Sequence, residues 1–339
     1  MILTKFNKLG LLMLSAILLA FIAIYFFAEN KKSDAEINQI SPVVSVKKNK
    51  IEKTKQQNET KEKATDKKFE IIFLGDLMFD RYIREISTQK GNDYVLAGLK
   101  DYLKEANLVV ANLEGPITNE QSKSLGTKIG QAGHLIFTFT PNWAGTLNDF
   151  NIKLVSLDNN HIFNFGASGV ASTKHYLDES KLDYFGLEEQ PASKPFAVGE
   201  KNLFFVSFNQ FRKTSYSQTL SEIKRIKSQT PDNLVVVYCH WGDEYQLTAN
   251  KNQQQLAHEF IDTGADLVVG THPHVVQNSE IYSGKKIYYS LGNAVFDQYF
   301  STETEEGMGL KVIINDGQQP WQFQEQKIIL RNNGQTVIQ

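Results

Sequence analysis

DLVVGTHPH, residues 266–274, reads as a short apolar strand that runs straight into two histidines separated by a proline. Both imidazoles of such a loop can approach one centre, and the proline stiffens the turn between them. Neutral imidazole suits a transition metal such as Mn, Zn or Fe, whereas Mg or Ca would want mostly oxygen. A lone H-x-H pair is as readily a surface or capping feature, so its place directly after a strand is what gives it weight.

The same arrangement recurs in both directions. Apolar runs at 69–74, 108–111, 153–157, 203–208, 234–239 and 286–290 join 266–269 as strand candidates. They are short, β-branched or aromatic, and they end at turn residues. Leu96, Leu99 and Leu103, then Leu256, Phe260 and Ile261, mark helical faces between them. This alternation predicts an α/β domain with buried sheets.

Polar residues gather after these runs: Gly75-Asp76, Asn112 to Gly115, Asp158 to His161, His240 to Glu244, Thr271 to His274 and Ser290 to Asn293. Ligands of open α/β sheets collect at the carboxyl ends of strands. Singly, each residue has an ordinary reading. Asp76 suits a turn or helix cap, and Glu114 a solvated turn. Asn160-His161 suits an Asx turn with a hydrogen-bonded imidazole, and His240 a buried histidine bonded to backbone. Together Asp76, Glu114, Asn160, His240, His272 and His274 form a nitrogen–oxygen donor set for one or two divalent transition-metal ions, as a hydrolytic site requires. Arg81 and Glu244 read either as surface ion pairs worth under ~1 kcal/mol or as substrate contacts, Arg81 bidentate on a phosphate or carboxylate. Asn293 suits either a backbone or a substrate bond.

The first 68 residues differ from the rest. Leu9 to Ala28 carries no charge and is long enough to cross a hydrocarbon core of ~30 Å. Lys5 and Lys8 precede it and orient residues 1–8 toward the cytoplasm. We read 9–28 as a transmembrane signal anchor; a cleaved signal peptide is the alternative, and both export the remainder. Residues 29–68, with eleven Lys against seven Asp or Glu and few apolar positions, read as a disordered polar spacer. The domain 69–339 then holds 23 basic and 31 acidic residues, and its single Cys239 lies in an apolar run as a buried small hydrophobe. With 41% hydrophobic and 22% charged residues overall, a collagen-like or wholly disordered chain is excluded. No basic surface dominates, so nucleic acid is not an expected partner.

The motifs LGDLMFDR (74–81), ANLEGPIT (111–118), NNH (159–161), HWGDEY (240–245), GADLVVGTHPHVVQ (264–277) and SLGNAVFDQ (290–298) resemble those of the CapA family, the poly-γ-glutamate capsule-biosynthesis proteins related to metallophosphoesterases. The resemblance covers roughly 69–300 and implies a calcineurin-like fold, two packed mixed sheets flanked by helices in an α-β-β-α sandwich. It implies that Asp76, Glu114, Asn160, His240, His272 and His274 are metal ligands, with His161 the catalytic acid beside them. It also implies a role in making, releasing or attaching an anionic capsule polymer, with the membrane and other subunits of a polymer synthase as partners. Met78 stands where phosphoesterases carry a histidine, a departure shared by the CapA branch, which leaves open a non-catalytic scaffold or polymer-binding subunit. The metal position that keeps Asn160, His240 and His272 is expected to be the tighter. Thr271 in place of the usual His, and Asn164 in place of the usual Asp, belong to this chain and are expected to weaken supporting bonds.

Overall fold

The computed structural model describes residues 68–315 and 317–339. The tail 1–8, the anchor 9–28 and the spacer up to residue 67 lie outside the described residues; Lys68, counted with the spacer, opens the first strand. Among the described residues no helix is long and apolar enough to cross a membrane.

In chain order the strands are β1 (Lys68–Leu77), β2 (Leu108–Leu113), β3 (Ile152–Ser156), β4 (Asp183–Phe185), β5 (Phe196–Val198), β6 (Lys201–Asn209), β7 (Leu234–His240), β8 (Leu267–Thr271), β9 (Ser279–Tyr282), β10 (Lys285–Tyr288), β11 (Asn293–Val295), β12 (Glu306–Asn315), β13 (Gln318–Leu330) and β14 (Thr336–Ile338). They form two mixed sheets. The first runs β14-β13-β12-β1-β2-β3-β4, with β11 beside the end of β1. In it β1 to β4 and β11 are parallel, while β12 to β14 pair antiparallel. The second runs β5-β6-β7-β8-β10-β9, parallel at its centre and antiparallel at both edges.

Alternation along β1 decides its two faces. Ile71 and Phe73 join Phe205, Val236, Tyr238 and Val269 in a core shared by both sheets. Ile72 and Leu74 belong instead to a core with the helices α1 (Arg81–Lys90), α2 (Asn92–Leu96), α3 (Lys100–Leu103), α4 (Asn142–Asp149) and α5 (Gly166–Glu179). On the far side of the second sheet, Val235, Val237 and Val268 pack with Ile223 and Ile226 of α6 (Ser215–Gln229) and Phe260 of α7 (Lys251–Thr263). Burial of each such side chain stabilises by about 1.5–3 kcal/mol. The Tyr238 hydroxyl also donates to the Leu74 carbonyl at 2.5 Å and so ties the sheets together.

Register then places the site. At the carboxyl end of β1, Asp76 stands level with Asn112 of β2 and Asn293 of β11. In the second sheet His240 of β7 stands level with Asn209 of β6 and Thr271 of β8. The approach of β11 to β1 requires Gly75, because a Cβ there would lie 1.8 Å from the Gly292 carbonyl oxygen.

Every strand candidate became a strand. The long hairpin β12–β13 was not among the candidates, although Leu310, Val312 and Ile314 alternate into the core between the sheets. Its partner strand is rich in glutamine and carries Pro320, which obscures the apolar pattern.

Candidate metal centre

Two clusters of donor atoms meet where the carboxyl ends of the parallel strands of both sheets converge. In the first, ligand atoms of Asp76, Glu114 and His274 all lie within 4.8 Å of one another, and all three residues are buried. His274 Nδ1 is 3.4 Å from Asp76 Oδ2, and His274 Nε2 is 3.7 Å from Glu114 Oε1. In the second, His240 Nε2 lies 2.9 Å from Asn160 Oδ1 and 3.2 Å from His272 Nδ1.

Glu114 is the telling residue. Its carboxyl is fully buried, and among the described residues no donor stands within hydrogen-bond distance of either oxygen. A buried carboxylate without a partner is costly. Burial first, and then the neighbouring Asp76 charge, push its pKa well above the usual carboxylate range. A bound cation would supply the missing partner, so the donor set fits a metal ion on the chemistry of its own atoms.

Asp76 is shifted the other way. Burial opposes its ionisation, but a hydrogen bond and the charge of His274, with help from His240 and Asn112, hold its pKa below the usual range. Asn112 Nδ2 donates to Oδ1 at 2.8 Å, and the His272 backbone N–H donates to Oδ2 at 3.1 Å. Burial lowers the imidazole pKa of His161 to about 4 and of His272 to about 3, and it takes His240 well below its ordinary value. These three imidazoles are therefore neutral at physiological pH and carry the lone pair a metal needs.

The surrounding residues fix which nitrogen faces inward. Thr271 Oγ1 donates to the Cys239 carbonyl at 2.9 Å and stands 3.1 Å from His240 Nδ1, which Asn112 Nδ2 also faces at 3.3 Å; the two hold the ring with Nε2 toward Asn160 and His272. Asn164 Oδ1 and the Leu135 carbonyl, at 3.0 and 3.1 Å, take the proton of His161 Nδ1. Both departures from the family pattern thus retain a supporting bond, with a neutral group in each place. His161 Nε2 is 3.9 Å from Glu114 Oε1. The backbone is strained here as well: Arg81, Tyr245, His272 and His274 all take positive φ (51°, 64°, 96° and 59°), which non-glycine residues hold only where the fold enforces it.

The structure brings all six expected ligands and His161 together; the three expected substrate contacts fare differently. Arg81 is buried and paired bidentately with Asp297, with Nη1 3.0 Å from His134 Nε2, and its charge is balanced before any substrate arrives. Glu244 lines the same cleft, of about 640 Å³, and is exposed. Asn293 is fully buried, and its amide donates to Gln298 and to the His274 and Thr304 carbonyls, while Oδ1 meets His274 Nδ1 at 3.0 Å. It is a positioning residue for His274. Met78 packs in the helix-side core, where its sulfur accepts from the Asp80 N–H at 3.0 Å.

Sequence reading missed Asn112 and Asn159, which lace the ligands together. Asn159 donates to Asn112 Oδ1 at 3.0 Å and to the Leu113 carbonyl at 2.8 Å, and it accepts from the His161 N–H. The signal was their place in the quoted motifs, beside residues that were read as ligands. His134, far from any strand end, gave none.

Residues 70–298 match the family described as bacterial capsule synthesis protein PGA_cap. The chain is 31% identical over 259 residues to the capsule biosynthesis protein CapA of Bacillus anthracis, covering 69% of this chain and 61% of that one. It is 28% identical over 248 residues to the PGA biosynthesis protein CapA of Bacillus subtilis (strain 168), covering 67% and 63%. The chain thus spans less than two thirds of the length of these relatives. Among solved structures, TT1561 of Thermus thermophilus aligns over 76% of this chain and 98% of that one, with a TM-score of 0.41 and 9% identity.

Proposed function

The chain belongs to the PGA_cap family of bacterial capsule synthesis proteins, and on that premise we propose that it acts in making, releasing or attaching an anionic capsule polymer through a metal-dependent hydrolase-type site on a calcineurin-like fold. The unpartnered, fully buried Glu114 carboxyl carries this reading. Asp76, Glu114 and His274 would hold one ion, and Asn160, His240 and His272 a second, with Glu114 shared. A divalent transition metal such as Mn, Zn or Fe supplies Lewis acidity toward a phosphoester or amide oxygen when bound.

The chain's own residues do the rest. His161 Nε2, with Nδ1–H committed to Asn164 and Leu135, exchanges a proton with the reacting group. Tyr245, Phe137 and Phe296 line the cleft and limit water around it. The balanced Arg81–Asp297 pair adds no net attraction for a polyanion, so polymer binding is local to the metal and insensitive to long-range steering. The run 9–28 would hold the domain on the outer face of the cell membrane.

The test is elemental analysis of the purified full-length protein, together with turnover of bis(p-nitrophenyl) phosphate by wild type and Glu114→Gln. Bound transition metal, with metal and turnover both lost in the variant, is the expected result. A folded wild type that holds no metal defeats the hydrolase reading. It would favour a scaffold or polymer-binding subunit of a membrane synthase, a reading to which the core placement of Met78 lends support. Protection of the domain from external protease in intact spheroplasts would defeat the proposed location.

A further inference from the structure

A second chamber, of about 530 Å³, opens on the other side of Asn160 from the cleft that holds Arg81 and His161. Asn160 lines both, so the Asn160–His240–His272 group stands at the crossing. Phe211, on the chamber wall, sets its ring 4.6 Å from that of His272 and 6.0 Å from that of His240. The volume suits a group of small-ligand size.

The lining states what kind of group. Ile162, Phe163, Val170, Leu187 and Phe211 make the walls mostly apolar, and the two phenylalanines are 59% and 48% exposed, unusual for side chains of that size. Each cation of the chamber is already paired. Arg212 donates to both oxygens of the buried Asp158, at 3.1 and 2.7 Å, and Lys174 holds Glu189 at 3.1 Å. Glu188, which also lines the chamber, has no side-chain partner among the described residues. The chamber therefore offers apolar surface, amide groups and one spare negative charge, a combination hostile to a carboxylate or phosphate.

We infer that this chamber is a subsite for an uncharged, partly apolar portion of an extended substrate, one whose reacting group sits at the metal centre and whose remainder lies in the cleft of Arg81. The inference rests on the metal-centre reading for what the reacting end touches. It narrows the substrate class: a uniform polyanion cannot fill the chamber, so the molecule handled carries a neutral or amphiphilic group beside its reacting end.

The experiment uses full-length protein in lipid nanodiscs, with empty discs subtracted, and two probes: uncharged N-acetylphenylalanine amide and anionic N-acetylglutamate. Saturation-transfer NMR reads binding, and metal content is measured on the same samples. Ala171→Trp, on the helix face that lines the chamber, should weaken the neutral probe about tenfold or more with metal content unchanged. Ala167→Phe, on the same face, serves where the first variant fails to fold by circular dichroism. Glu188→Lys should strengthen the anionic probe severalfold. Filled-chamber variants that bind the neutral probe like wild type overturn the subsite, while bound metal leaves the metal reading standing. Chamber-dependent binding of the neutral probe in a protein without metal supports the subsite and defeats the metal reading.

Discussion

The Asp76–Glu114–His274 group and the Asn160–His240–His272 group lie side by side but supply their charge differently. The first holds an ionised carboxylate, anchored by Asn112 and by the His272 N–H, and beside it a carboxyl that meets no donor among the described residues. The second is neutral throughout: an amide oxygen and two imidazoles that burial keeps unprotonated. Cation binding in the first group is thus coupled to ionisation of Glu114. The second depends on well-aimed lone pairs and on whatever charge Glu114 lends it.

The largest effect should come from removing that shared group. Glu114→Gln is expected to empty both positions. In chelator-stripped protein at pH 8 it should also raise folding stability by about 1–3 kcal/mol, because an unpaired buried acid is gone. Elemental analysis and chemical denaturation read the two parts, and a variant that keeps either metal breaks the comparison. Next come the imidazoles. His240→Ala or His272→Ala should release the ion of the second group and His274→Ala that of the first, each by more than the ~10–100-fold typical of a supporting residue. Competition with a chromophoric chelator resolves them, and equal losses at both positions in every variant would mean a single mixed site.

Smaller effects should follow the supporting bonds. Thr271→Val removes the hydroxyl beside His240 Nδ1 and is expected to weaken the second ion ~10–100-fold, leaving the first nearly unchanged. Asn293→Ala, through His274, should do the reverse. The chelator titration again tells them apart. Smallest is the pH response of the stripped protein. Glu114 has a folded pKa above its unfolded value, so its contribution is complete below about pH 4.5 and falls away as pH rises through the folded value. Asp76 is depressed, so its contribution is present above about 3.8 and lost only in stronger acid. The imidazoles of His161, His240 and His272 are depressed, so their contributions are complete above about pH 6.5 and are lost as pH falls. Stability without metal should therefore rise from pH 4 to about 6.5 and decline above it as Glu114 loses its contribution, while metal affinity rises over the same range. Thermal melts from pH 4 to 8, with and without added Mn, check this; a stripped protein with no decline above pH 6.5 would remove Glu114 from the centre of the account.

Much of this was legible beforehand. The run 234–239 was legible as a strand, so the place of His240 at a strand end was read from its neighbours in sequence alone. Arg81 shows the limit. Its partner Asp297 lies 216 residues away, and no local pattern distinguishes a guanidinium awaiting a substrate from one already paired. Asn293 is similar: its place in a motif marked it, but only its complete set of protein partners made it a support for His274. The departures at Thr271 and Asn164 were expected to weaken their bonds; an oxygen of each stands within hydrogen-bond reach of its histidine, and the strength of that contact is left to the chelator titration.

What the sequence determined by itself is what short-range periodicity and residue chemistry can carry: an alternating α/β domain, a set of oxygen and nitrogen donors at strand ends, and an apolar run and a polar stretch of sequence before them. Tertiary structure alone decided that the donors form two groups around one unsatisfied carboxyl, that Arg81 is spent on Asp297, and that a second chamber shares Asn160. Those facts depend on register between strands and on packing across some two hundred residues of chain. A periodic pattern records which face of a strand is buried and holds no information about which distant residue will be opposite it.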